Sequence, residues 1–192
     1  MRLILASASP QRKELLKGLG LSFDTIPSSV EESACTEKDP TRRAVVLARL
    51  KAEDIHALHP DACVIGCDTL VVSAAGILLE KPVNAPDAER MLRLQSGNVS
   101  IVHSALCVIG PEGMYEGISS SCVHFKTLSE KEIAWWISTN QWKDRSGAFQ
   151  IDGRGQLMIE DLEGDWTGVV GLPVYLLGEL LKKAGVISKI EM

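Results

Sequence analysis

Apolar residues are arranged along the chain in two patterns that alternate from one end to the other. In the first, short apolar runs are bounded by Gly, Pro and Ser, which is typical of strands. The strongest of these runs contains a single carboxylate, Asp68. Strands are predicted over residues 3–6, 23–26, 64–72, 99–109, 117–125, 157–162 and 167–170. The Gly- and Pro-containing turn at 110–113 predicts an antiparallel hairpin between two of them.

In the second pattern, apolar residues recur every three or four positions after a residue that can cap a helix. Ser9-Pro10 and Asp39-Pro40 each place a capping residue before a proline, which fits the first turn of a helix. Ser129 and Glu132 have the spacing of a capping box. Helices are predicted from residue 10 to 19, from 40 past 51, from 86 to 94, from 129 onward and from 173 to 184.

Interspersed strands and helices, with at least one hairpin, predict an α/β fold with a mixed central sheet flanked by helices. The sequence contains no linker, internal repeat or low-complexity stretch, and its 192 residues match the length of one domain. We therefore predict a single domain over residues 1–192.

Composition and net charge limit which binding partners and which cellular compartment we expect for the chain. Hydrophobic residues make up 45% and charged residues 23%, a globular balance that excludes a disordered chain. A net charge of −5 does not attract polyanions, so long nucleic acid and anionic membranes are not expected partners. Five scattered cysteines predict buried free thiols in a reducing compartment. With no long apolar run or signal-peptide pattern, we expect a cytoplasmic protein.

Asp68 is the most informative polar residue. A carboxylate inside an apolar strand is costly to desolvate unless it is paired, hydrogen-bonded or bound to a metal ion. One interpretation is a strand-end Asp that caps a neighbouring turn. The other is a metal ligand or general base, which Glu32 and a lysine would support if they converge on Asp68.

The segment Ser7 to Arg12 joins a predicted strand to the beginning of a helix. Free N–H groups and the positive end of the helix dipole favour a phosphate at such a position. Two hydroxyls and a forked guanidinium add donors. The alternative is an ordinary helix cap with a surface arginine. Lys51, Lys81 and Glu32 are each, taken alone, typical of solvated surface groups.

Taken together, these segments resemble the Maf family of nucleoside triphosphate pyrophosphatases. Each motif is weak alone, but all of them follow in family order at compatible spacing. They are Leu-Ala-Ser-Ala-Ser-Pro-Gln-Arg-Lys-Glu-Leu-Leu (5–16), Val30-Glu31-Glu32, Leu50-Lys51-Ala52, Gly66-Cys67-Asp68-Thr69, Glu80-Lys81-Pro82, Asp144-Arg145-Ser146-Gly147-Ala148-Phe149 and Val169-Val170-Gly171-Leu172-Pro173.

The resemblance implies an elongated, two-lobed Maf/ITPase-like domain with a deep cleft, usually a homodimer. It implies cleavage of a nucleoside triphosphate between the α and β phosphates, with Mg²⁺ or Mn²⁺ as the cofactor. Asp68 would accept a proton from the attacking water or hold the metal ion, and Glu32 would share that ion. The predicted phosphate ligands are Arg12, Lys51 and Lys81 with Ser7 and Ser9, and Lys81 is also placed in the catalytic set with Asp68 and Glu32.

Three positions depart from the family's specificity patterns. Gln11, Thr69 and Asp152 match neither the set of members that act on dTTP and UTP nor the set that acts on 7-methyl-GTP. If Asp152 faces the base, its carboxylate offers only acceptors, which suit the N–H donors of guanine. We therefore expect a guanine-like or modified base. The resemblance also raises a second hypothesis, a nucleotide-sensing regulator of septum formation that binds without turnover.

Overall fold

The computed structural model describes residues 1–187. Its strands are β1 (Leu3–Leu5), β2 (Asp24–Thr25), β3 (Cys63–Val72), β4 (Leu78–Leu79), β5 (Val99–Gly110), β6 (Gly113–Phe125) and β7 (Ile159–Glu163). Its helices are α1 (Pro10–Lys17), α2 (Pro40–Leu58), α3 (Ala85–Gln95), α4 (Glu130–Ser138), α5 (Trp166–Val170) and α6 (Val174–Lys183). Short 3₁₀ turns cover Glu32–Ala34, Ser146–Ala148 and Gly153–Met158.

Within residues 1–187 the strands form one seven-stranded sheet in the order β2-β1-β3-β5-β6-β7, with β4 paired to β3. β1 is parallel to both β2 and β3, whereas β4 is antiparallel to β3 and β7 is antiparallel to β6. The connection from β5 to β6 is only two residues long, which antiparallel neighbours alone can make. The predicted mixed sheet flanked by helices is confirmed.

The prediction of a strand at 167–170 is wrong, because these residues lie in α5. The side chain of Asp165 explains the difference. Its Oδ1 accepts hydrogen bonds from the backbone N of Thr167 (2.8 Å) and from Thr167 Oγ1 (2.6 Å), so it caps the first turn of the helix. The β-branched residues favoured a strand in the sequence, and this local cap outweighs that preference. The two-residue strand β4 was not predicted.

The chain divides into two compact units. The first unit comprises Met1–Asp68, Ser104–Ser119 and residues 171–187, and the second comprises Thr69–His103 and Ser120–Val170. The prediction of one domain over 1–192 stays a prediction, and residues 188–192 lie outside the described part. None of the helices within residues 1–187 is long and apolar enough to cross a membrane.

Each unit has its own apolar core. In the first unit, buried residues of the sheet such as Ile65 and Leu106 pack with Leu177 and Leu181 of α6. In the second unit, the core includes Leu92 of α3, Trp136 of α4, and Phe125 and Phe149. The rings of Phe125 and Phe149 meet edge to face with their centroids 4.9 Å apart.

Candidate active site

Asp68 lies on β3 where helix α2 packs closely against the strand. Gly66 precedes it by two positions, so both residues face the same side of the strand. A Cβ atom at Gly66 would lie 2.7 Å from the backbone N of Ala52 and 2.8 Å from its Cβ. Only glycine therefore allows α2 to approach the strand this closely, which brings the neighbouring helix position, Lys51, to Asp68.

Lys51 forms two ion pairs in this contact. Its Nζ donates to Asp68 Oδ1 at 2.6 Å and to Glu32 Oε1 at 2.6 Å. Lys51 is only 7% exposed and Asp68 only 3%, whereas the side chain of Glu32 retains 43% of its exposure. The lysine that the sequence predicted as a phosphate ligand thus binds the two predicted metal-binding acids.

Burial raises the pKa of the Asp68 carboxyl above its ordinary value. The positive charge and the hydrogen bond of Lys51 lower this pKa, and so does the charge of Arg12. The negative charge of nearby Glu32 raises it further. Among the described residues, the second carboxylate oxygen, Oδ2, is buried and has no hydrogen-bond partner. A buried acceptor of this kind is costly unless a ligand satisfies it, so Oδ2 is the atom at which we expect a ligand.

Ser7, Ser9 and Arg12 form a hydrogen-bonded group at the beginning of α1. Ser9 Oγ accepts from the backbone N of Arg12 at 3.5 Å and donates to Gln11 Oε1 at 3.3 Å. Ser7 Oγ accepts from the backbone N of Ser9 (3.1 Å) and from Arg12 Nη1 (3.3 Å). Arg12 Nε donates to the carbonyl oxygen of Gly171 at 2.9 Å. The guanidinium is therefore fixed in place, and its charge acts on Asp68.

Three predicted site residues belong to the second unit. Thr69 follows Asp68 in β3, and its carbonyl oxygen accepts from Ser146 Oγ at 3.3 Å. Lys81 is exposed between β4 and α3. Asp152 is half-buried, and its carbonyl oxygen accepts from Gln150 Nε2 at 3.2 Å. The roles predicted for these three residues stay predictions.

Sequence reasoning missed Gly66 and Arg43. A glycine inside an otherwise apolar strand is a signal of close backbone approach, and it stands two residues before the carboxylate singled out above. Arg43 donates to three backbone carbonyls around Glu32, a contact for which the sequence offers no local signal.

Asp68 and Glu32 suit a divalent cation. Mg²⁺ and Mn²⁺ prefer carboxylate oxygens, and Oδ2 of Asp68 is buried without a protein partner in the described chain. A separate group lies on the β6–β7 ladder, where one ligand atom each from His124, Asp161 and Glu163 lie within 4.8 Å of one another. His124 Nε2 is 3.1 Å from Glu163 Oε1 in that group.

A family model described as Maf-like protein matches residues 2–184. The chain belongs to the Maf family. A curated Maf relative from Deinococcus radiodurans, named dTTP/UTP pyrophosphatase, is 42% identical over 185 residues, covering 96% of this chain and 94% of the relative. A relative of the same name from Treponema denticola is 42% identical over 194 aligned positions, which cover 94% of this chain and 96% of that relative. One from Pyrococcus furiosus is 38% identical over 183 residues.

A solved structure supports the same architecture for this Maf chain. The HAM1 protein from Coxiella burnetii superposes with a TM-score of 0.51 at 13% identity, covering 96% of this chain and 100% of that chain. At that identity the similarity shows the fold alone.

Proposed function

We propose that this chain is a nucleoside triphosphate pyrophosphatase that cleaves the bond between the α and β phosphates. The observation that carries the proposal is the buried Asp68, held by Lys51 through Oδ1 and presenting Oδ2 without a protein partner among the described residues. The family relatives named as pyrophosphatases support the reaction class. These relatives carry the name of an enzyme, which favours turnover over a regulator of septum formation.

In the proposed reaction, a water oxygen attacks the α phosphorus and the bond from that phosphorus to the bridging oxygen of the β phosphate breaks. The products are a nucleoside monophosphate and pyrophosphate. Asp68 takes the proton of the attacking water as general base. Lys51 favours the ionised form of Asp68, because a neighbouring ammonium opposes the rise in pKa that burial causes. This reaction needs mainly positioning and charge neutralisation.

The phosphates require positive charge that a chain of net charge −5 must supply locally. Arg12 with Ser7 and Ser9 provides guanidinium and hydroxyl donors beside the N-terminus of α1, and we propose this group as a phosphate-binding element. Lys81 is proposed as a further cation for the phosphates. When bound, a divalent cation supplies positive charge to the phosphate oxygens, and Asp68 and Glu32 are the residues that would hold it.

Two observations bear on the base of the substrate, and one favours guanine whereas the other favours thymine and uracil. The acceptor-only carboxylate of Asp152 suits guanine, whereas the relatives are named for dTTP and UTP. Two relatives of that name are 42% identical to this chain over nearly the full length. We therefore propose dTTP and UTP as substrates. A cytoplasmic homodimer stays a prediction that light scattering and fractionation test.

The reaction is tested with purified protein, Mg²⁺ or Mn²⁺ and a panel of nucleoside triphosphates, measuring pyrophosphate and orthophosphate separately. We expect pyrophosphate release, and a loss of about 10²- to 10⁴-fold in Asp68→Asn, the range for a missing general base. Asp61→Asn, at an exposed aspartate in the turn before β3, is the matched control and should retain full activity. Release of orthophosphate alone, or full activity in Asp68→Asn, would contradict the proposal.

The metal site is tested by Mn²⁺ binding in calorimetry. We expect Asp68→Asn and Glu32→Gln to weaken binding at the proposed site. His124→Ala removes the separate group on β6 and β7 and therefore separates binding there from binding at Asp68. Mn²⁺ affinity that depends on His124 but not on Asp68 would move the metal site away from the candidate active site.

A further inference from the structure

Glu32 is carried by a long irregular segment, residues 27–39 between β2 and α2, which we call the acidic loop. Its regular structure is one 3₁₀ turn, Glu32–Ala34. Loops of this length are ordinarily more mobile than the elements that they connect. A carboxylate that must meet Lys51 and share a cation with Asp68 therefore needs the loop to be fixed by other contacts.

Arg43 of α2 fixes the backbone of the acidic loop at and after Glu32. Its Nη2 donates to the carbonyl oxygen of Glu32 at 3.0 Å. Its Nη1 donates to the carbonyl oxygens of Cys35 and Glu37, the latter at 3.4 Å. The planar guanidinium can serve several carbonyls at once, which a lysine ammonium in the same place cannot do with the same geometry.

Asp54, further along α2, fixes the loop before Glu32. Its carboxylate accepts from the backbone N of Ser29 at 2.7 Å and from Ser29 Oγ at 3.1 Å. The helix therefore holds the acidic loop on both sides of Glu32. The same helix carries Lys51, which binds the Glu32 carboxylate directly.

We propose that Arg43 is a positioning residue, which fixes the Glu32 carboxylate beside Lys51 and Asp68 by holding the backbone of the acidic loop. Arg43 acts through Glu32 and is not assigned a contact with the substrate. The inference rests on the proposed function, because it assigns Glu32 to the cation. Removing a residue that orients a metal ligand typically weakens metal binding or activity about 10- to 100-fold.

The test compares Arg43→Ala with Arg49→Ala. Arg49 is the matched control, because it is also an arginine of α2 but binds Glu116 instead, through Nε at 2.7 Å and Nη2 at 2.8 Å. The measurements are kcat and KM at saturating metal, the Mn²⁺ concentration that gives half-maximal rate, and Mn²⁺ affinity by calorimetry. We expect Arg43→Ala to raise the half-maximal Mn²⁺ concentration about 10- to 100-fold, and Arg49→Ala to change it less than about twofold.

Two further variants make the inference specific. Arg43→Lys keeps the charge and loses the forked geometry, so it should weaken Mn²⁺ binding as Arg43→Ala does. In a Glu32→Ala background, Arg43→Ala should add no further loss, because the residue through which it acts is absent. Equal effects of Arg43→Ala and Arg49→Ala, or full additivity with Glu32→Ala, would overturn the inference.

If Arg43→Ala does not fold by circular dichroism, Asp54→Asn provides the same test from the other side of Glu32. We expect it to weaken Mn²⁺ binding, and unchanged affinity in a folded Asp54→Asn would count against the inference. A wild-type chain that releases no pyrophosphate from any nucleotide would overturn the proposed function instead. The effect of Arg43 on Mn²⁺ affinity would then still decide whether it positions Glu32.

Discussion

A carboxylate as deeply buried as Asp68 depends on the groups that touch it. Its identification from sequence was straightforward, because one acid interrupts an apolar strand. Its partners were not deducible from local pattern, since Lys51 lies 17 positions from Asp68 and 19 from Glu32. Only the resemblance to a family placed the three together, and the contact itself depends on how closely α2 approaches β3.

The cysteines give a prediction at the scale of single residues. None of the five, which all lie within residues 1–187, forms a disulfide, and burial raises the pKa of the Cys63 and Cys107 thiols to about 12. Because the thiolate is the reactive form and Cys67 is also buried, we expect iodoacetamide to label only Cys35 and Cys122 in the native chain. Mass spectrometry should find two labelled sites in the native chain and five in urea. Native labelling of Cys63 would contradict the burial described.

At the scale of elements, the starts of the long helices and the presence of the β5–β6 hairpin were predictable, because caps and apolar periodicity act locally. The start of β6 was not, since β6 begins at Gly113 and the predicted strand began at residue 117. The capping box is present as predicted, with Ser129 N donating to Glu132 Oε2 at 2.8 Å and Glu132 N to Ser129 Oγ at 3.3 Å. Helix α5 was not predicted, because its β-branched residues favour strands and its cap lies outside the apolar run. The close packing of α2 on β3 was not predicted either, because it depends on the lack of a side chain at Gly66.

Gly66→Ala tests that packing. The added Cβ would lie 2.7 Å from a backbone atom, which cannot move away as a flexible side chain can. We expect a loss of about 1–3 kcal/mol in the free energy of unfolding, measured in urea, together with reduced pyrophosphate release. Gly178→Ala is the control, since a Cβ there meets nothing within 4 Å, and it should be neutral or stabilising in α6. Equal stability of the two variants would contradict the close contact.

The capping box of α4 gives a pH-dependent prediction. Hydrogen bonds from Lys126 and Ser129 lower the pKa of Glu132 to about 2. Since this value is below that of an unfolded Glu, about 4.3, the stabilisation is fully present above that pH and disappears as the pH falls towards 2. Glu132→Gln should therefore unfold at a lower temperature than wild type at pH 7, and this difference should shrink below pH 4. Glu160→Gln, exposed on β7, serves as the control, and a constant difference across the pH range would contradict the assignment.

At the scale of the whole molecule, alternating patterns were sufficient for the class of fold and not for the order of strands. The sheet order β2-β1-β3-β5-β6-β7 places β5, late in the chain, beside β3. Such pairings are fixed by packing between residues that are distant in sequence. The family match over residues 2–184 compares nearly the whole chain at once, which no local pattern does. The role expected for Asp152 in recognising the base stays a prediction.

Asp152→Gln tests the proposed substrates. A carboxylate only accepts hydrogen bonds, whereas a Gln amide both donates and accepts, as the uracil and thymine edges require. If Asp152 faces the base, the substitution should raise kcat/KM for dTTP and UTP about tenfold relative to GTP, which corresponds to about 1.4 kcal/mol, the size of one hydrogen bond. The measurement is pyrophosphate release across the nucleotide panel, with Asp61→Asn as a control whose relative rates should equal those of wild type. If Asp152→Gln leaves the ratio of kcat/KM for dTTP and UTP to that for GTP unchanged, Asp152 does not recognise the base. A wild-type enzyme that prefers guanine nucleotides over dTTP and UTP would overturn the proposed substrates and support pairing of the Asp152 carboxylate with the N–H donors of guanine.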